Sequence, residues 1–203
     1  AARTCMMAGV GLTGVFLWYL VRFWVYGKAV VLTSAPLTIP AGFLIAGMAV
    51  ATLIGAALAS WAAGPISESI EEKNIPVARA VAGACLLYAA GLALAWGLGV
   101  WSTGTARENG MLLFALISGF AFGIYDSLGL ELVMDSLPDP RRAGHDLGIY
   151  ALANSDGLAL AAIIGALLVN AFEHSFGYYL LFPSAIVMVL LAGIITLTTK
   201  SAE

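Results

Sequence analysis

The fold is decided by an uncharged run at residues 41–63, AGFLIAGMAVATLIGAALASWAA. A membrane-spanning helix needs about 20 mostly apolar residues to cross the hydrocarbon core of a bilayer, and this run reaches that length without a charge. Its residues do not alternate in polarity, as the strands of a membrane barrel do. The run therefore predicts a transmembrane helix.

Five further apolar runs extend this prediction to the whole chain. Of its 203 residues, 61% are hydrophobic and 10% are charged, whereas soluble domains carry about 25% charged residues. Segments rich in turn-forming residues separate the runs. We predict an all-α, polytopic membrane helix bundle that forms one domain over residues 1–203. Its six transmembrane helices are expected at about residues 5–26, 41–63, 77–101, 111–135, 147–172 and 178–198.

The positions of lysine and arginine predict how the bundle is oriented, because short cytoplasmic loops carry an excess of both residues. An inside N-terminus places Lys28 and Arg107 outside and six basic residues inside: Arg3, Lys73, Arg79, Arg141, Arg142 and Lys200. Both termini are therefore expected in the cytoplasm. No short apolar leader with a cleavage site is recognised, and we expect an integral protein of a bacterial inner (plasma) membrane.

Two carboxylates within the apolar runs are the first candidates for function, because ionisable groups are costly inside a bilayer. Asp126 lies nine residues before the end of its predicted helix, and Asp156 lies nine residues after the start of the next. Both are then about 13 Å from the inner boundary. The connecting loop is short, so we expect neighbouring helices whose carboxylates can share a proton. A purely structural hydrogen bond is the alternative for each.

Four other polar residues are candidates for a solute or ion path: Tyr125, Glu131, Asn154 and Arg22. Tyr125 adjoins Asp126, while Glu131 points about 140° away from Asp126 on the same helix and can reach interfacial water. Asn154 is expected to bond across helices or to contact the solute. Arg22 can meet an anionic or aromatic group, or it belongs to an interfacial belt of aromatic and basic residues.

Glycine and proline positions predict where helices pack and end. Gly119 and Gly123 form a GxxxG pair, which lets two helix backbones approach closely within a membrane. Proline residues at positions 40, 76 and 138 are expected at helix ends, where they remove no helical hydrogen bond. Pro183 lies within the last predicted helix and predicts a kink there.

Two loops carry a resemblance to a known family. Asp135-Ser-Leu-Pro138-Asp-Pro-Arg141-Arg142-Ala-Gly144 resembles the D-x-x-P-x-x-x-R-x-x-G-like run between the fourth and fifth helices of a half in the major facilitator superfamily. Gly64-Pro-Ile-Ser-Glu68-Ser-Ile-Glu71-Glu72-Lys73 is similar to that family's G-x-x-x-D-R-x-G-R-K loop. In this loop, Glu68 occupies the position of the family's Asp, and Lys73 occupies the position of its last basic residue.

The resemblance implies the C-terminal six-helix half of a twelve-helix secondary transporter, with solute bound at the midplane between the halves. It also implies cytoplasmic latch residues, namely Glu68, Lys73, Asp135, Arg141 and Arg142. The expected partners are the lipid bilayer, a small solute and a second six-helix half. That second half belongs to the same chain, to a separate chain or to a second copy.

The sequence thus predicts secondary active transport by alternating access, with the proton as a candidate coupling ion. A non-transporting membrane subunit that binds a protein, pigment or lipid is the alternative. An enzyme is not expected, since "ALANSDG" around Asp156 lacks the G-x-G-D pattern of intramembrane aspartyl proteases. There is no HExxH or CxxC spacing for a metal and no basic stripe for nucleic acid. We therefore expect no structural metal, no nucleic-acid partner and no cofactor.

Overall fold

A computed structural model describes residues 1–25, 39–101, 105–135, 143–172 and 174–198 of the chain. These residues form seven α-helices and one π-helical segment. In chain order they are α1 Ala2–Gly14, α2 Leu17–Leu20, the π-helical Val21–Val25, α3 Ile39–Glu72, α4 Val77–Trp101, α5 Thr105–Asp135, α6 Ala143–Ala171 and α7 His174–Thr198. Five helices, α3 to α7, are long and apolar enough to cross a membrane. The predicted all-α integral membrane protein is confirmed at this level.

The first predicted span, residues 5–26, is wrong as one continuous helix. After α1, the backbone of Phe16 leaves the helical conformation, with φ −98° and ψ 7°, before α2 and the π-helical segment follow. The ring of Phe16 occupies the space beside Gly165 of α6 that a Cβ atom there would need. Packing on α6 therefore accompanies the break, and a sixth membrane crossing by this broken segment stays a prediction.

The loop predicted after residue 63 is also wrong, because α3 continues through Pro65 to Glu72. A proline inside a helix removes one backbone hydrogen bond and crowds the preceding turn. Tertiary contacts support this end of α3: Ile70 is buried in the core, and the Ser67 hydroxyl donates to the Glu131 carboxylate of α5 at 3.3 Å. These contacts outweigh the local preference of proline for a turn.

The remaining boundaries agree more closely with the prediction. Helix α4 covers the predicted residues 77–101, and α7 ends at the predicted Thr198. Helices α5, α6 and α7 begin four to six residues earlier than predicted, because polar first turns carry too little apolar signal. Prolines 40 and 76 lie at the start of α3 and just before α4, and Pro183 lies inside α7. Pro138 lies outside the described residues.

Helix α1 and the five long helices pack in the order α3, α5, α4, α7, α1, α6, each against the next. Exchanging α1 with α5, α3 with α6 and α4 with α7 gives the same order of neighbours, read from its other end. Arg3 at the start of α1 meets Asp126 near the end of α5, so these two equivalent helices run in opposite directions. The packing order and this direction are those expected of two three-helix units, one of α1, α3 and α4 and one of α5, α6 and α7, related as an inverted repeat.

The expectation that the helices carrying Asp126 and Asp156 are neighbours is wrong. Helices α5 and α6, as described, share no extended interface; α5 packs on α3 and α4, while α6 packs on α1 and α7. A short connection restricts only the ends of two helices and does not decide which faces pack. On α6, Gly157 and Gly165 lie against α1 and the residues that follow it.

Close backbone approach joins α3 to α5, as the GxxxG pair predicted. A Cβ atom on Gly119 would collide with the backbone carbonyl of Thr52, and one on Gly123 would lie 2.6 Å from the Cβ of Ala59. At the equivalent α1–α6 interface, a Cβ on Gly11 would lie 2.6 Å from that of Ala161. Small residues therefore set both interfaces.

Candidate functional site

The side chain of Arg3 joins α1, α5 and α6 at one end of the bundle. Its Nη1 donates hydrogen bonds to Oδ1 of Asp126 and to the hydroxyl of Tyr150, both at 2.6 Å. Its Nε donates to Oδ1 of Asn154 at 2.7 Å, and the guanidinium carbon lies 4.3 Å from the centre of the Tyr150 ring. We call these four residues the Arg3 cluster.

The two charges of the Arg3 cluster differ in their exposure. The side chain of Arg3 is 11% exposed, whereas that of Asp126 is 51% exposed. A carboxylate within an apolar helix is costly where it faces lipid, even when one of its oxygens is paired. The exposed side of Asp126 is therefore expected to contact water or another protein segment rather than hydrocarbon.

Helices α1 and α5 face each other across a gap, and the Arg3–Asp126 ion pair crosses it. Farther along the same helices the gap widens into a cleft of about 240 Å³. Helices α1, α3, α4 and α5 each contribute one hydroxyl to its wall, from Thr13, Thr52, Tyr88 and Ser118, and the other lining residues are apolar. No charged side chain of the described residues lines the cleft.

The cleft and the Arg3 cluster lie on the same helix faces. On α1, Arg3 and Val10 of the cleft are seven residues apart, which returns a helix to nearly the same direction. On α5, Ala115 of the cleft and Asp126 are eleven residues apart, again on one face. At 1.5 Å per residue, the cluster begins about 10 Å from the cleft along α1. The cleft and the cluster therefore share one face of α1 and are separated by about two helical turns.

Two of the predicted path residues, Asp126 and Asn154, are brought together by Arg3. Asp126 pairs with Arg3 rather than with another carboxylate. Asp156 is exposed, and it makes no hydrogen bond or ion pair with any described residue. The predicted sharing of a proton between Asp126 and Asp156 is therefore replaced by an arginine–carboxylate pair.

In the described part of the chain, none of the other predicted path residues donates or accepts a hydrogen bond with Arg3 or Asp126. Tyr125 is only 4% exposed and stacks on Phe122 with ring centres 6.3 Å apart. Glu131 accepts its hydrogen bonds from Ser67 of α3. Arg22 is half-buried in the π-helical segment, at the opposite end of the first predicted span from Arg3.

The predicted latch residues are only partly described. Glu68 on α3 and Lys73, just after it, are both exposed. Asp135 is the last residue of α5, but its side chain lies outside the described residues, as do Arg141 and Arg142. Their pairing stays a prediction.

Arg3 and Tyr150 were not among the site residues predicted from the sequence. In the sequence, Arg3 indicates only the orientation of the chain, although it lies in the first turn of an apolar helix. Tyr150 and Asn154 are four residues apart on α6, a spacing that puts two side chains on one helix face. This polar pair within an apolar helix is the sequence feature that indicates Tyr150 as a candidate site residue.

The chain matches no protein-family model, no curated protein and no solved structure. Within the described ranges, no three His, Cys, Asp or Glu side chains lie together in a way that could hold a metal ion.

Proposed function

We propose that the chain is one six-helix half of a secondary active transporter of the major-facilitator kind, which moves a small solute by alternating access. The observation that carries this proposal is the Arg3–Asp126 ion pair, which joins α1 of one three-helix unit to α5 of the other. Ionisable residues within membrane helices mark ion or substrate pathways more often than they serve packing alone.

The inverted repeat supports the same function. Transporters of this kind are built from three-helix units of inverted topology, and their substrate and ion sites lie where the repeats meet. In this chain Arg3 comes from the first unit, whereas Asp126, Tyr150 and Asn154 come from the second. The polar cluster therefore joins the two repeats, and this contact supports the proposal.

The strength of the ion pair suits a contact that forms and breaks during transport. A solvent-exposed pair contributes about 0–1 kcal/mol, whereas removing one partner of a fully buried pair costs about 3–5 kcal/mol. Because Asp126 is half-exposed, the Arg3–Asp126 pair lies nearer the weak limit. Modest binding energy from a solute is enough to open it.

The exposed carboxylates of Asp126 and Asp156 favour a second six-helix half that covers this face and encloses a water-filled path. The same chain, a separate chain or a second copy can supply that half. In this proposal both termini lie in the cytoplasm of a bacterial cell, and the exposed Glu68 and Lys73 contribute to a cytoplasmic latch.

Access of water to the face of Asp126 tests this function without knowledge of the solute. In protein whose Cys5 and Cys85 are replaced by alanine, Ser127→Cys places a thiol next to Asp126 on an exposed position of α5. We expect a charged, membrane-impermeant thiol reagent to modify this cysteine in both right-side-out and inside-out vesicles. Alternating access opens the path to each side of the membrane in turn.

Leu86→Cys is the matched control. Leu86 is exposed on α4, nine residues from the start of that helix, and Ser127 is eight residues from the end of α5. We expect Leu86→Cys to stay unmodified in both kinds of vesicle, because a residue of α4 that faces lipid is not reached by a charged reagent. Modification of Ser127→Cys from one side only, or from neither, would contradict alternating access. Either result would favour a non-transporting subunit that binds a protein, pigment or lipid partner.

A further inference from the structure

The cleft brings one hydroxyl group from each of four helices to a single, mostly apolar cavity. Its wall contains Thr13 of α1, Thr52 of α3, Tyr88 of α4 and Ser118 of α5. Three of these side chains, those of Thr13, Tyr88 and Ser118, are buried. Helices that pack through apolar and small residues therefore share one polar wall, and this wall belongs to the cleft itself rather than to the Arg3 cluster.

The hydrogen atoms of these hydroxyl groups are already used within the protein. Thr13, Thr52 and Ser118 each donate a hydrogen bond to a carbonyl three or four residues earlier on their own helix, at 3.1, 2.9 and 3.0 Å, respectively. The Tyr88 hydroxyl is hydrogen-bonded to the Thr13 side chain, whose oxygen is then the acceptor. A hydroxyl oxygen that has donated its hydrogen keeps lone pairs that accept. The hydroxyls of the wall thus offer hydrogen-bond acceptors rather than donors.

We propose that the cleft binds a small, uncharged solute that has an apolar body and donates a hydrogen bond through an O–H or N–H group. This inference rests on the proposed transport function and names the class of its solute. A donor group on the solute forms a new hydrogen bond to an oxygen of the wall. A solute that can only accept requires a wall hydroxyl to give up the bond to its own helix, so its binding adds no hydrogen bond in total.

The lining of the cleft favours a solute without a charge. No charged side chain of the described residues lines it, and Arg3 is about two helical turns away along α1. A charged group that enters an apolar cavity loses its hydration and must be paired there. A charged solute would therefore be left unpaired in the cleft, whereas a neutral O–H or N–H group is satisfied by one oxygen of the wall.

The size and lining of the cleft indicate the apolar body. The rings of Tyr88 and Phe114 both line the cleft and pack edge to face with their centres 6.2 Å apart. A cavity of roughly 150 Å³ accommodates a benzene molecule, so a cleft of about 240 Å³ suits one aromatic ring with a small substituent. Phenol combines such a ring with one donor. Anisole, its methyl ether, keeps the ring and the oxygen but has no donor.

Calorimetric titration of the intact chain in lipid nanodiscs with phenol and with anisole tests the proposal; titration of empty nanodiscs corrects for partition into lipid. The hydroxyl-free variant combines four substitutions, Thr13→Val, Thr52→Val, Tyr88→Phe and Ser118→Ala. We expect it to bind phenol about tenfold to a hundredfold more weakly than the natural chain, because the buried O–H of phenol loses its acceptor. Anisole should bind the variant at least as tightly as the natural chain, which also shows that the cleft is intact.

Substitutions outside and inside the cleft control for the loss of hydroxyl groups as such. Ser60→Ala on α3 and Thr196→Val on α7 remove hydroxyls that donate to carbonyls of their own helices but do not line the cleft, so both ligands should bind as before. Gly14→Leu instead fills the cleft, because Gly14 lines it and a Cβ atom there meets nothing within 4 Å. We expect this variant to lose the binding of both phenol and anisole.

Unchanged phenol binding in the hydroxyl-free variant, equal weakening of phenol and anisole there, or full binding in Gly14→Leu would each overturn the proposal. Tighter binding of benzylammonium than of phenol would overturn the uncharged class. If Ser127→Cys reacts from both sides of the membrane while phenol fails to bind, the solute class is wrong and transport stands. If phenol binds as expected while Ser127→Cys reacts from neither side, the cleft is a binding site and the transport function fails.

Discussion

Gly119→Ala is expected to destabilise the bundle by about 1–3 kcal/mol, the usual cost of forcing extra atoms into a packed interface. The new Cβ atom would collide with the backbone carbonyl of Thr52 on α3. Backbone atoms cannot rotate away as a flexible side chain does, so α3 and α5 must separate along their shared face. Thermal unfolding in detergent should show a lower midpoint temperature.

Gly83→Ala on α4 is the matched control for this change. The same atom is added within a helix, but a Cβ at Gly83 meets nothing within 4 Å. Its midpoint should be unchanged or slightly raised, because alanine favours a helix over glycine. Equal destabilisation by both substitutions would show that helix propensity or lipid contact, rather than the α3–α5 interface, dominates at Gly119.

Arg3→Ala is expected to lower the free energy of unfolding by about 1–2 kcal/mol, because it leaves Asp126, Tyr150 and Asn154 without their shared donor. The half-exposure of Asp126 keeps this cost below that of breaking a fully buried pair. The double variant Arg3→Ala/Asp126→Ala should regain part of the loss, since it also removes the unpaired carboxylate. Midpoints of the two single variants and the double variant form the measurement.

The double-mutant cycle is decisive because it measures the interaction rather than the substitutions. Residues in contact give coupling energies of about 0.5–3 kcal/mol, whereas the effects of substitutions at independent sites on the free energy of unfolding simply add. Additive losses for Arg3→Ala and Asp126→Ala would mean that the ion pair contributes nothing to folding. In that case, the Arg3 cluster would not stabilise the contact between the repeats.

Local patterns in the sequence were enough to predict the membrane class and several helices. The length and polarity of an apolar run report directly on whether a segment can cross lipid, so residues 77–101 were predicted with the bounds that α4 has. The GxxxG pair of Gly119 and Gly123 also pointed to a close helix contact. Asp126 and Asn154 were identified as site candidates because polar residues stand out in apolar surroundings.

Long-range packing decided the rest. Pro65 was interpreted as part of a loop, yet contacts of Ser67 and Ile70 keep α3 helical to Glu72. The pairing of α6 with α1 instead of α5 depends on which glycine-bearing faces fit together. Such complementarity joins segments distant in sequence and leaves no local periodicity that predicts the partner.

The sequence by itself determined that this chain is a bundle of apolar helices with carboxylates inside them. Only the tertiary structure decided which charge meets Asp126. Arg3 is separated from Asp126 by 123 residues and from Asn154 by 151 residues, so their contact exists only once α1 lies opposite α5 and against α6. Spacing along a helix reveals which residues share its face, but the docking of helices selects what that face meets.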